Sequence, residues 1–154
     1  MRAFRAIHLL LLGGIIGIEL FLGIVVAKAI FYPSEAVSLD IFQSGLIMGV
    51  IFYKFGWVLV AITLLNAIYE VLAKSTPKMK YSKIILSCII FILALVFHFY
   101  FTAYILDAQA MGAEAIASQK FTMMHKASEW TMKLLCIAQL VLFFLNFAPQ
   151  KCNK

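Results

Sequence analysis

Residues 7–30 read IHLLLLGGIIGIELFLGIVVAKAI, and this stretch decides the fold. A helix that crosses a bilayer needs about 20 predominantly apolar residues, and this run exceeds that. One carboxylate, Glu19, stands near its middle. A charge at that depth costs roughly 2.5–3.5 kcal/mol when left in lipid, so Glu19 is expected to face a partner inside a bundle.

The rest of the chain has the same character. Its 154 residues are 64% hydrophobic and 13% charged, with a mean hydropathy of +1.00. A soluble domain is nearer 45–50% apolar and about 25% charged. Three further apolar runs follow the first. The expectation is an all-α integral membrane bundle of four transmembrane helices forming one domain, with spans near 6–31, 46–72, 84–106 and 120–148. Arg2 and Arg5 ahead of an apolar run, with Ala27-Lys28-Ala29 behind it, imitate a secretion signal. A signal core is only about 7–15 residues long and does not usually hold a glutamate, so the run reads as a retained first helix. Prolines punctuate the helix ends at Tyr32-Pro33, Thr76-Pro77 and Pro149.

The loops give an orientation. Arg2, Arg5, Lys74, Lys78, Lys80, Lys83, Lys151 and Lys154 fall on one side of these spans. Glu35, Asp40, Asp107, Glu114 and Glu129 fall on the other, against Lys120 and Lys126. The positive-inside rule then places both termini in the cytoplasm. Topology thus accounts for the net charge of +6, and nucleic acid is not expected as a partner. Cys88 and Cys136 lie within apolar runs and Cys152 at the tail, without metal-site spacing. A glycine-rich phosphate loop, a nucleophile elbow and a Cys-x-x-Cys pair are all missing.

Two kinds of candidate residue remain. Gly13 with Gly17, and Gly45 with Gly49, are Gly-x-x-x-Gly pairs of the kind that let membrane helices approach closely. Glu19, Lys54 and His98 are ionisable residues on three different spans. Lys54 and His98 each lie roughly 12 Å inside the outer ends of their helices by helical rise. These three make either a polar pocket opening outward or a Glu19–Lys54 ion pair pinning the first two helices. The ion pair is the sharper expectation. No cofactor is expected, with haem or a metal ion as the alternative. Bis-histidine haem ligation needs two imidazoles at one depth, and His8 sits near the cytoplasmic side while His98 does not. His125 and Glu129 share an i, i+4 face near the outer surface but are a single pair.

Residues 99–144 read FYFTAYILDAQAMGAEAIASQKFTMMHKASEWTMKLLCIAQLVLFF. This stretch resembles small bacterial membrane proteins grouped as a domain of unknown function with the eukaryotic transmembrane protein 205. In these proteins a Phe-x-x-x-His-x-x-Ser element opens the last helix, and Phe121, His125 and Ser128 match it here. The end of the first span, Val25-Val26-Ala27-Lys28-Ala29-Ile30-Phe31, is also similar, with Lys28 where the family often has proline. The resemblance implies a four-helix architecture in the bacterial inner membrane and no settled activity. A weaker likeness, through His8, is to four-helix membrane haem proteins of the protoporphyrinogen oxidase type, whose remaining first-helix pattern is missing. The functional expectation is a non-enzymatic accessory or assembly subunit. It would dock through its helices on a larger membrane complex or on further copies of itself. The alternatives are a haem- or metal-binding redox protein and, behind it, an oligomeric transporter.

Overall fold

The computed structural model describes residues 2–33, 37–73 and 76–147. Four helices in it are long and apolar enough to cross a membrane, and no strand occurs among the described residues. The protein is an all-α, multi-pass membrane bundle.

The first helix runs through Arg2–Phe21, a π-turn at Leu22–Val26, and Ala27–Phe31. It stops where the Tyr32 N–H makes the last bond, to the Lys28 carbonyl at 2.9 Å, and Pro33 has no N–H to offer. The second helix is Ile41–Leu72. Asp40 and Gln43 form a reciprocal capping box: the Gln43 N–H donates to Asp40 Oδ1 (2.7 Å), and the Asp40 N–H donates to Gln43 Oε1 (3.2 Å). This box starts the helix more than a turn before the apolar run begins.

The third helix runs from Pro77–Leu95 through a π-turn at Val96–Thr102 to Ala103–Ala110. Pro77 occupies its first turn, where a missing N–H costs nothing. Lys78, Lys80 and Lys83 therefore lie on helix and not in a loop. Gly112, at φ 100°, supplies a backbone conformation that side chains disfavour and lets the chain turn into the short helix Ala113–Ile116. The fourth helix, Gln119–Phe147, begins where Ser118 Oγ accepts the Phe121 N–H at 3.1 Å. Glu35, Lys74, Pro149, Lys151, Cys152 and Lys154, with residue 148, lie outside the described residues.

Each long helix packs on its chain neighbours, and the fourth closes on the first. Arg5 reaches the carbonyls of Asn146 and Phe147, so the first helix begins where the fourth ends. The apolar core comprises Leu12, Ile15 and Ile16, Phe55 and Leu59, Ile90 and Ala94, and Leu135 and Leu142. The outer faces are apolar as well, with Leu10, Ile24, Leu65, Ile92 and Phe144 all exposed. As many polar and charged side chains as apolar ones are buried. Lipid as solvent explains this distribution, because apolar groups gain nothing there by turning inward while polar groups do.

Candidate functional site

At the end that carries the lysines, all four helices send polar side chains to one point. Arg5 and His8 come from the first helix, Glu70 from the second, Lys83 from the third and Asn146 from the fourth. His8, Glu70, Lys83 and Asn146 are buried, with Glu70 and Lys83 each only 1% exposed. Lys83 Nζ donates to Asn146 Oδ1 at 2.9 Å. The Asn146 amide nitrogen donates to Glu70 Oε1 and to the Leu142 carbonyl, the latter at 3.1 Å. His8 Nε2 stands 3.3 Å from the same Glu70 oxygen, near enough for an ion pair but not aligned as a hydrogen bond. The His8 ring stacks on Tyr69 with centroids 3.9 Å apart. Arg5 donates to the last carbonyls of the fourth helix, at 2.7 Å to Asn146 and 3.3 Å to Phe147, where a cation meets the negative end of the helix dipole.

Asn146 is thus an amide bridge between a buried cation and a buried anion. The loop count that assigns orientation takes Lys83 as a loop cation, and the sequence reading offers no expectation of this clasp. A signal was present. Lys83, Ser87, Ile90 and Ala94 recur at helical spacing, as do Leu135, Gln139, Leu142 and Asn146, and all eight are buried.

The expected Glu19–Lys54 ion pair is not formed. Glu19 is 4% exposed and accepts a hydrogen bond from Gln139 Nε2 of the fourth helix at 2.9 Å. Its Oε2 has no hydrogen-bond partner among the described residues. Lys54 faces outward and is exposed. The apolar spans show no strongly polar side from which the rotation of Lys54 about its axis follows, and Gln139 lay in a run read only as apolar. Glu19, Lys54 and His98 make no hydrogen bond or ion pair with one another among the described residues.

The third helix carries His98 on its π-turn, where its ring fills the notch left by Gly56, with Tyr53 and Trp57 at centroid distances of 5.5 and 4.7 Å. His98 Nδ1 is buried without a hydrogen bond among the described residues. Gly45 and Gly49 serve a similar end. A side-chain carbon at Gly49 would stand 2.5 Å from Gln109 Oε1, and Gln109 Nε2 donates to the Gly45 carbonyl at 2.8 Å. These two glycines admit a glutamine side chain rather than a neighbouring backbone. A side-chain carbon at Gly13 would stand 3.4 Å from the Phe143 ring, whereas Gly14, Gly17 and Gly23 face open space.

Near the opposite end, Phe121 stacks on His125 at 6.0 Å, and Ser128 is buried. Glu129 is shared along its helix by His125 (3.3 Å) and Lys133 (3.7 Å). His8, His98 and His125 accordingly occupy three different environments. No group of three histidine, cysteine, aspartate or glutamate side chains gathers among the described residues.

No curated protein and no solved structure matches this chain. A family described as Domain of unknown function (DUF4149) does match, over residues 10–114. That stretch covers the first helix from Leu10 onward with the whole of the second and third, and stops short of the Phe121, His125 and Ser128 element. It contains Glu70 and Lys83, while Arg5, His8 and Asn146 lie outside it. Since it spans more than half of the sequence, the chain belongs to the DUF4149 family of unknown function.

Proposed function

We propose that the chain is a non-enzymatic accessory or assembly subunit in the bacterial inner membrane, docking through its helices on another membrane protein. The observation that carries this reading is Lys54. It lies about 20 Å along the second helix by helical rise, on a face that also exposes Val50, Trp57 and Ala61. A lone chain would leave that charge toward lipid at roughly 2.5–3.5 kcal/mol. Glu19 and Glu70, the buried carboxylates among the described residues, are already engaged inside by Gln139 and Asn146, and Glu129 is engaged along its own helix by His125 and Lys133. A second copy therefore brings no free acid to Lys54, and a different span bearing a carboxylate suits it better. The positive-inside rule supports placing the end with Lys78, Lys80 and Lys83 in the cytoplasm, which makes both termini cytoplasmic. Phe121, His125 and Ser128 support a wider kinship with the transmembrane protein 205 group.

A photo-crosslinker at Val50 or Ala61, with Lys54 left in place, tests the docking. The expected product is one discrete adduct heavier than the chain and different from its dimer, lost with Lys54→Met and absent from a control at Ile85. Uncrosslinked chain alone would contradict the proposal. A Soret band in the purified protein would replace it with the haem-protein alternative.

A further inference from the structure

A groove of about 490 Å³ lies between the far end of the first helix and the start of the fourth. Gly23, Ala27, Phe31 and Ile41 make its apolar lining, and Lys28 and His125 bring nitrogen to it. Two local features border the groove. Leu22–Val26 forms a π-turn, a break in helical regularity that recurs at functional sites. Within that turn Gly23 has nothing within 4 Å of the place a side chain would occupy.

The charges in the groove are unequal. Glu129 also lines it, but its two oxygens are taken along its own helix by His125 and Lys133. Among the described residues no carboxylate pairs with Lys28, which is exposed. Lys28 is thus the cation of the groove that has no carboxylate partner among the described residues, and it stands beside an imidazole that Glu129 contacts. Toward the middle of the span, the first helix continues this side of the molecule with exposed Phe21, Ile24 and Val25, an apolar wall. At the other end Tyr32 is 79% exposed, as befits an aromatic side chain at a membrane–water boundary. A cation at the boundary above an open apolar furrow suits a molecule with a phosphate at one end and hydrocarbon at the other.

We infer that this groove binds a phospholipid, its phosphodiester held by Lys28 and His125 and its glycerol and upper acyl carbons lying over Gly23 and Ala27. The inference is independent of any partner at Lys54, which lies on the second helix.

The test is native mass spectrometry of the delipidated full chain in detergent, with phosphatidylglycerol or phosphatidylethanolamine added at a fixed ratio. One retained lipid per chain is expected with either, because both carry the phosphodiester. Gly23→Leu fills open space in the groove, and Lys28→Gln removes the cation. Each should lower the one-to-one adduct at least tenfold, whereas Gly17→Leu, at another open glycine of the same helix, should leave it unchanged. Helical content and melting temperature measured alongside show that the variants are folded. Should Gly23→Leu fail to fold, Lys28→Gln on the exposed surface decides alone. Equal adducts from wild type and both groove variants would overturn the site, since the lipid would then be nonspecific. Displacement of the lipid by millimolar inorganic phosphate would overturn the lipid assignment in favour of a free-anion site.

Discussion

Asn146 uses both polar atoms of its amide, accepting from Lys83 and donating to Glu70 and to the Leu142 carbonyl. Removing one member of such a buried set leaves a charge without compensation, at a cost of roughly 3–5 kcal/mol, whereas removing both charges can be nearly neutral. Lys83→Met and Glu70→Leu should each therefore destabilise the chain in detergent. The double variant should recover much of the loss, with a coupling of about 0.5–3 kcal/mol. Thermal unfolding of the four proteins measures this, and simple additivity would mean that Asn146 does not transmit between the two charges. Glu19 invites a milder test. Its bond to Gln139 is one membrane-depth hydrogen bond, worth on the order of 1 kcal/mol. Glu19→Gln should therefore cost less than either clasp variant in the same melt.

At the scale of the helix, the glycines differ according to what they face. Gly56→Ala would drive a carbon into the His98 ring, and overpacking of that kind costs typically about 1–3 kcal/mol. Gly49→Ala meets the ends of two flexible side chains, Gln109 and Leu106, which can withdraw more readily than a packed ring, so a smaller loss is expected. Gly17→Ala meets nothing and should be neutral or stabilising by about 0.5–1 kcal/mol, the helical preference of alanine over glycine. Melting temperatures in that order check the assignment, and Gly17→Ala as the worst of the three would contradict it. Length and hydropathy made the four helices legible from the sequence, but the rotation of each about its axis was not. Lys54 illustrates the difficulty, because a helix apolar on every side gives no indication of which side faces its neighbours. Lys83 was obscured for a different reason. Hydropathy placed the start of its span at residue 84, while the helix begins at Pro77 and turns Lys83 inward.

For the whole molecule, the charges at membrane depth separate into two sets. Glu19, Glu70 and Lys83 are engaged inside the bundle, while outside it Lys54 stands without a carboxylate among the described residues and Lys133 pairs with Glu129 along the fourth helix. The proposed orientation has its own check: reporter fusions at Lys78 should give a cytoplasmic signal and those at Gly112 an external one, and the reverse pattern would invert the molecule. The division between holding the bundle and meeting a partner is tested most directly by comparing the thermal unfolding of purified Lys83→Met and Lys54→Met in the same detergent. Lys83→Met should melt lower than wild type by on the order of 10 °C, from a loss of roughly 3–5 kcal/mol at about 2–4 °C per kcal/mol. Lys54→Met, which removes an exposed cation that has no hydrogen bond or ion pair among the described residues, should melt no lower than wild type. A fall for Lys54→Met as large as that for Lys83→Met would contradict the account, because Lys54 would then be holding the bundle itself.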